Sequence, residues 1–324
     1  MNRRLSKIAL VLLAKPQILV GGQAVIEGVM MRVPGAYATA ARDPQGEIQI
    51  DRHDFESFAE RHNLKNVAVV RGIIGLFEAM KIGFGSLQWS ADIAMPEEAG
   101  KSSKWADFFT MLTAFVLAIG LFFAAPIGLT SWLFNRDNDP FIFNLLAGVF
   151  RVIFFLVYLI LIAQMKDIKR LFEYHGAEHK TVYTFEAGKP LNIDSARSFP
   201  TQHPRCGTSF MFIIMIVAIL TFAVIDSILG LFVGHIQVWM RFATHLPLIP
   251  LVAGFGYEVL KLTAKHRSNP LFLLLSKPGL WLQNITTSPP DDDQIQVAIS
   301  ALEAAFGDRL KEFVGQKYVA EAIG

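Results

Sequence analysis

The chain has 324 residues, of which 52% are hydrophobic and 18% charged, with a formal net charge of +2. It is longer than one average domain and less charged than a typical soluble protein, so a membrane class is the first expectation. The small net charge excludes a nucleic-acid binder built on a basic surface. A single cysteine, Cys206, excludes an internal disulfide and leaves its thiol free for metal or redox chemistry.

In chain order, Ile8 to Ala14 is shaped like a short signal h-region. Lys15 and Pro16 end it and no small-residue cleavage site follows, so no cleaved signal is expected. Gly21 to Ile50 alternates apolar and polar residues, with Asp43-Pro44-Gln45-Gly46 as a turn between Tyr37–Arg42 and Glu47–Ile50. That pattern predicts a β-hairpin or small sheet. From Val69 to Ile93 the period becomes helical, and Gly72, Gly75, Ala79, Gly83 and Ser86 form a small-residue stripe. Such a stripe permits close helix packing at or beside a bilayer; periodicity alone fits an ordinary glycine-rich core helix equally well.

A membrane-spanning helix needs roughly 20 consecutive apolar residues. No charge occurs from Phe108 to Asn135, only Arg151 from Phe141 to Met165, and only Asp226 from Ser209 to Gly234. A fourth segment, Trp239 to Leu262, is interrupted by Arg241, His245, Pro247, Pro250 and Glu258, and is expected to be kinked or partly re-entrant. Trp105, Trp132 and Trp239 near the span ends fit the interfacial preference of aromatic rings.

Lysine and arginine concentrate before the first span, between the second and third, and after the fourth, whereas the loops at 135–140 and 234–238 carry only Arg136. By the positive-inside rule both termini and the middle loop are cytoplasmic. After the last span, Pro289-Pro290 and three aspartates open a helix whose buried side is Ile295, Val297, Ala298, Leu302, Ala305 and Phe306.

The expected fold class is therefore an α-helical polytopic membrane protein of about four transmembrane helices. A small cytoplasmic α+β part would combine the N-terminal hairpin, the middle loop and the C-terminal helix. The divisions fall at 1–106 (hairpin plus glycine-rich helix), 107–165 (spans one and two), 166–208 (metal-site loop), 209–262 (spans three and four) and 263–324 (C-terminal segment with an amphipathic helix).

The most chemically pointed stretch is Tyr174-His175-Gly176-Ala177-Glu178-His179-Lys180. Histidines four apart share a helical face, with Glu178 beside them. A divalent metal needs neutral imidazoles, and a nearby carboxylate either ligates or takes a proton from water activated by the ion. The same H-x-x-E-H spacing occurs in inverted zincin peptidases, although five letters match widely; a solvated helix following basic Lys166–Arg170 reads the same way. A second group, His203-Pro204-Arg205-Cys206-Gly207-Thr208-Ser209, precedes the third span, with Pro204 and Gly207 suiting a turn. Three of the eight histidines and the cysteine fall within 32 residues.

His175, His179, His203 and Cys206 are thus the expected ligands of a divalent metal, zinc best fitting imidazole with thiolate and iron remaining open. Four protein ligands would make a closed structural site, whereas three ligands plus water, with Glu178 as general base, would make a catalytic one. Lys180 and Arg205 would attract an anionic group such as a lipid phosphate. Arg151 and Asp226, at depths of about 15 and 12 Å from the outer span ends by helical rise, are expected to pair as a structural clamp in preference to a proton or ion path, with Asp226 on Arg241, or His245 and Glu258 with a solute, as the alternatives.

Gly21-Gly22-Gln23-Ala24-Val25-Ile26-Glu27-Gly28-Val29-Met30-Met31-Arg32, with HGAEHK, HPRCGTS and KPGLWLQ in the same order, resembles the YqhQ-like family of bacterial membrane proteins over about Gly21 to Ala305. That resemblance implies an uncharacterised, metal-dependent enzyme of the bacterial inner membrane whose metal group maps onto His175, Glu178, His179, His203 and Cys206. Val33 before Pro34 stands where a smaller residue is expected. Gln23, Glu27 and Arg32 of the glycine-rich motif are candidate substrate-binding groups in the same pocket, or parts of a tight sheet corner that needs glycine.

The leading expectation is a membrane-embedded, metal-dependent hydrolase with membrane lipids around it. A non-enzymatic scaffold with a structural metal and a small transporter are the alternatives. The sequence leaves homo-oligomerisation open.

Overall fold

The computed structural model describes residues 18–318 except Leu19, 98–102, 135–138, Arg205, His235 and 266–269. The segment Ile8 to Ala14 and the expected anion-binding Arg205 lie outside the described residues.

Four strands pair antiparallel in chain order: β1 (Gly21–Val25), β2 (Gly28–Val33), β3 (Ala36–Arg42) and β4 (Ile48–Asp54). The expected hairpin is the second half of this meander. Its turn closes where the sequence puts it, with Gly46 N donating to Asp43 O at 3.0 Å. Val33 is accommodated because Gly35, at φ +85°, turns the chain so that Val33 pairs with Ala36.

Strand alternation gives the sheet two covered faces. Val29, Met31, Val33, Ala36, Ala38 and Ala40 join one apolar core with Tyr174, Phe185, Ile295 and Leu302, while Val25 and Met30 pack with Ile82 on the other side. Each of the larger side chains contributes roughly 1.5–3 kcal/mol on burial.

Helix α1 (Phe58–Arg61) is a single turn, and α2 (Val70–Ala94) is the glycine-rich helix. The small-residue stripe has two uses along α2. At Gly83 an added Cβ would stand 2.8 Å from Gln23 Oε1, and Ser86 accepts from Thr39 at 3.0 Å, so this end lies on the sheet. At Gly72 a Cβ would meet Tyr257 at 2.8 Å, so the other end packs on a long apolar helix.

The apolar segments follow as α3 (Lys104–Ile119), a π-helical turn Gly120–Ala124, α4 (Ala125–Phe134), α5 (Pro140–Ile162), α6 (Lys166–Glu186), α7 (Ile193–Arg197), α8 (Gly207–Val233) and α9 (Val238–Lys265). Among the described residues, four helical stretches are long and apolar enough to cross a membrane: Phe108–Phe134, Pro140–Ile162, Phe210–Val233 and Val238–Leu262. At most 28% of the most apolar part of any of them is buried within the protein, which leaves apolar surface facing outward.

Three expectations change. The fourth segment is one continuous helix with Pro247 and Pro250 inside it, which replaces the re-entrant alternative; its packing on α8 and α2 holds the helical path that two prolines weaken. The region 166–208, expected as a loop, is half occupied by α6. A further helix, α10 (Pro270–Thr286), lies where the sequence reading assigns none; burial of Leu282 and Gln283 and packing on α8 sustain it through Pro278. Helix α11 (Asp292–Phe306) starts, as expected, on Asp291 in a capping box with Gln294, and packs on β2 and β3. A 3-10 turn Gly307–Arg309 and α12 (Leu310–Phe313) close the described chain.

Candidate metal centre

Helix α6 is held between β1 and α11, so its face carrying Tyr174, Ala177, Glu178, Thr181, Val182 and Phe185 is buried. Gly176 is the closest approach. A Cβ there would lie 2.2 Å from Ser288 O, and only glycine lets residues 287–290 cross the helix. Ser288 N donates to Phe172 O at 2.9 Å and fixes that crossing.

Two backbone carbonyls then set the tautomers of the two histidines. His175 Nδ1 donates to Thr286 O at 2.8 Å, and His179 Nδ1 donates to Thr201 O. Each ring is left with Nε2 as a lone-pair donor, the arrangement that outer-shell hydrogen bonds impose on metal-ligating imidazoles. Burial pushes His179 below the ordinary imidazole range, which favours its neutral form.

Cys206 is the N-cap of α8, its Sγ accepting from Thr208 N at 3.4 Å. His175 Nε2 lies 3.1 Å from that sulfur, and the ligand atoms of His175, His179 and Cys206 all fall within 4.8 Å of one another. His179 Nε2 is buried with no hydrogen-bond partner among the described residues, although Glu178 Oε2 stands 3.4 Å away. A buried orphan nitrogen beside a second imidazole, a thiol and a carboxylate fits a divalent ion better than it fits an apolar core.

His203 is placed differently from the other expected ligands. Its ring centroid is 5.5 Å from that of His179 and 4.4 Å from Tyr183, and its Nε2 faces Glu186 Oε2 at 3.6 Å. Gln283 grips its backbone on both sides, accepting from His203 N at 2.7 Å and donating to His203 O at 2.8 Å. Glu186 and Gln283 escaped the sequence reading. Stepping by three and four residues from His175 and His179 reaches Tyr183 and Glu186, so the helical face did carry that signal; Gln283 carried none.

The remaining expected substrate groups serve internal contacts. Lys180 donates to the carbonyls of Arg197 (3.1 Å) and Phe199, and burial lowers its pKa. Gln23 donates to Gly83 O at 3.1 Å. Arg32 lies 4.5 Å over the Phe55 ring, with burial pulling its pKa down. Glu27, strained at φ +50° in the β1–β2 turn, accepts from both nitrogens of an Arg170 fork and from Tyr174 Oη at 3.2 Å. The expected Arg151–Asp226 pair is also corrected. Asp226 pairs with Arg241, at 3.5 Å, and with His245, at 2.8 Å. Arg151 sits 5.1 Å over the Phe123 ring, because Asn144, one helical turn from the start of α5, reaches the carboxylate first at 2.8 Å.

A family described as "Protein of unknown function (DUF1385)" matches residues 67–308. The chain belongs to that family. It is 32% identical over 302 residues to "Uncharacterized protein YqhQ" of Bacillus subtilis (strain 168), an alignment covering 87% of this chain and 90% of the relative. No solved structure matches. The family match spans α2 to α11 and so includes His175, Glu178, His179 and Cys206, while β1 to β4 precede it.

Proposed function

We propose that this DUF1385 protein is a membrane-embedded, metal-dependent hydrolase of the bacterial cytoplasmic membrane, with its site on the cytoplasmic side. One observation carries the reading: two imidazoles with tautomers set by backbone carbonyls converge with a thiol within 4.8 Å, and a buried carboxylate stands against them. Three protein ligands beside a carboxylate are the catalytic pattern. His203, which a closed site would need, is turned toward Glu186. His175, His179 and Cys206 hold the ion, zinc by ligand type. Such an ion supplies Lewis acidity to a carbonyl or phosphoryl oxygen.

Glu178 then takes the proton from the attacking water and returns it to the leaving group. Its burial among β1 and α6 keeps competing solvent away. Cys206 lies four residues before Phe210, where an apolar span begins, about 6 Å along the helix axis. That distance sets the site at headgroup depth, so the substrate is a membrane-borne molecule; Arg205, adjoining Cys206 in sequence, supplies charge for an anionic group such as a lipid phosphate. Basic residues flanking α6, the N-terminal part and the C-terminal part orient all three inward.

The test is Glu178→Gln in nanodiscs carrying total bacterial lipid extract, followed by mass spectrometry of the lipids. Wild type with zinc consumes a species that Glu178→Gln leaves intact while binding the same ion. Wild-type protein that purifies without metal and binds none on titration ends the reading. If the ion is bound and its removal by chelation unfolds the 166–208 region, with no lipid turnover in either protein, the metal is a structural staple between α6 and α8.

A further inference from the structure

Helix α2 (Val70–Ala94) carries large apolar side chains on a side that the described residues leave bare. Phe77, Met80, Phe84 and Leu87 recur at steps of three and four and so share one helical face. Phe77 and Phe84 are 57% and 60% exposed, and Met80 and Leu87 are exposed with them. The roughly opposite face holds Ile82, Ser86 and Ser90, buried on the sheet, where Ser86 accepts from Thr39 Oγ1 at 3.0 Å and Ser90 Oγ accepts from Ile26 N at 3.2 Å. Lys81, Gln88 and Asp92 are exposed along one edge between the two. Contiguous apolar surface of this kind is seldom left to water.

Both ends of α2 meet segments that are apolar enough to cross a membrane. At its start, an added Cβ at Gly254 of α9 would lie 2.7 Å from Val69 O, one at Gly72 would lie 2.8 Å from Tyr257, and Glu258 accepts from Val69 N at 3.1 Å. Gly254 and Tyr257 are eight and five residues inside the end of Val238–Leu262, about 12 and 8 Å by helical rise. Toward the other end of α2, Phe84, Leu87 and Ala91 line one groove with Ile26 and with Met111, three residues inside Phe108–Phe134. Four crossings put the start of the first span and the end of the fourth on the same side of a bilayer, so a helix that touches both does not cross it. The 25 residues of α2, about 37 Å of helix, therefore run along one leaflet. Arg71, Glu78, Lys81 and Asp92, spread over its length, fit that course and not a transmembrane one.

We propose that α2 is an in-plane membrane helix, with Phe77, Met80, Phe84 and Leu87 seated among the phospholipid acyl chains of that leaflet and Lys81 at the headgroups. The bilayer fits this face better than a second copy of the chain does, because the groove at Phe84 joins it to Met111, which is 62% exposed on the outward apolar surface of the first span. Helices with one apolar face and a charged flank sink roughly 5–10 Å into the boundary between headgroups and acyl chains, which is about the level that Tyr257 and Met111 set. The inference rests on the four apolar helices crossing a bilayer and is independent of the metal reading.

The full-length protein is reconstituted in phosphatidylcholine vesicles that contain a phosphatidylcholine with a diazirine midway along one acyl chain, then photolysed and mapped by peptide mass spectrometry. Lipid adducts are expected on the Phe77–Leu87 stretch of α2 at a yield within about threefold of that on the four spans. Phe77→Glu combined with Phe84→Glu is expected to lower the α2 adducts roughly fivefold or more while the span adducts stay unchanged. Size-exclusion profiles report whether the double variant folds. The inference is overturned if wild type labels the spans and not α2, if a folded double variant keeps wild-type labelling of α2, or if a bifunctional cross-linker joins α2 of two chains while lipid adducts there are absent. Absence of adducts from the spans as well would overturn the reading of four crossings together with this inference. The wild-type map decides the main point alone, so a variant that fails to fold gives the proposal no shelter.

Discussion

His175 Nε2 and Cys206 Sγ stand 3.1 Å apart and join the middle of α6 to the first turn of α8. Tetrahedral nitrogen and sulfur ligands of one zinc lie about 3.6 Å from each other, so this pair is already close to ligand spacing. His179→Ala and Cys206→Ala are expected to lower bound zinc at least tenfold, whereas His203→Ala leaves it within a factor of about two. Elemental analysis of the purified proteins checks this. Equal metal loss on changing His203 would show that the shell has four protein ligands.

Gly176 sits between the two histidines, and its α-carbon faces Ser288 O, which a Cβ would approach to 2.2 Å. Neither partner can yield, since one is a buried helix and the other a backbone carbonyl tied down at Ser288 N. Gly176→Ala is expected to cost about 1–3 kcal/mol by overpacking. It should also shift residue 286, whose carbonyl orients His175. Thermal unfolding in detergent reads the first effect and zinc affinity the second. A variant with unchanged melting and unchanged affinity would remove Gly176 from this role.

Much of this arrangement was legible from residue order alone. Uncharged runs marked the spans, strand alternation the sheet, and the Asp291 start and apolar side of α11 its docking. HGAEH put two imidazoles on one helical face because i to i+4 spacing is enough to align side chains on a helix. What stayed hidden depends on distant chain segments meeting. No local pattern says that Thr201 and Thr286 would offer carbonyls to His179 and His175, or that Asn144 would reach Asp226 ahead of Arg151. Helix α10 carries Pro278 in its interior, where proline weakens an isolated helix, and packing on α8 sustains it.

Arg71 and Glu258 lock the start of α2 to α9 through a forked ion pair, reinforced by Val69 N at 3.1 Å. The side chains are 19% and 23% exposed, so solvent screening limits the gain. A double-mutant cycle with Arg71→Met and Glu258→Gln is expected to give a coupling of about 1 kcal/mol. Hydrogen exchange over 70–76 should quicken in either single variant, while exchange in β2 and β3 stays unchanged. Quickening throughout the sheet would instead make this contact a determinant of the whole sheet-containing part.

Gln283 is fully buried on α10 and clamps the backbone of residue 203, taking His203 N at 2.7 Å and giving to His203 O at 2.8 Å. This clamp fixes residue 203, which lies between Thr201, whose carbonyl meets His179, and Cys206, whose sulfur meets His175. Gln283→Leu keeps the volume and removes both hydrogen bonds, leaving two buried backbone groups unsatisfied at about 1–3 kcal/mol. Because residue 203 lies between these two contacts, zinc affinity should fall about 10- to 100-fold. Gln283→Glu keeps the acceptor but not the donor and should lie between the two. Competition titration with a chromogenic zinc chelator measures all three proteins. Wild-type affinity in Gln283→Leu would show that α6 and Cys206 organise the site without the clamp.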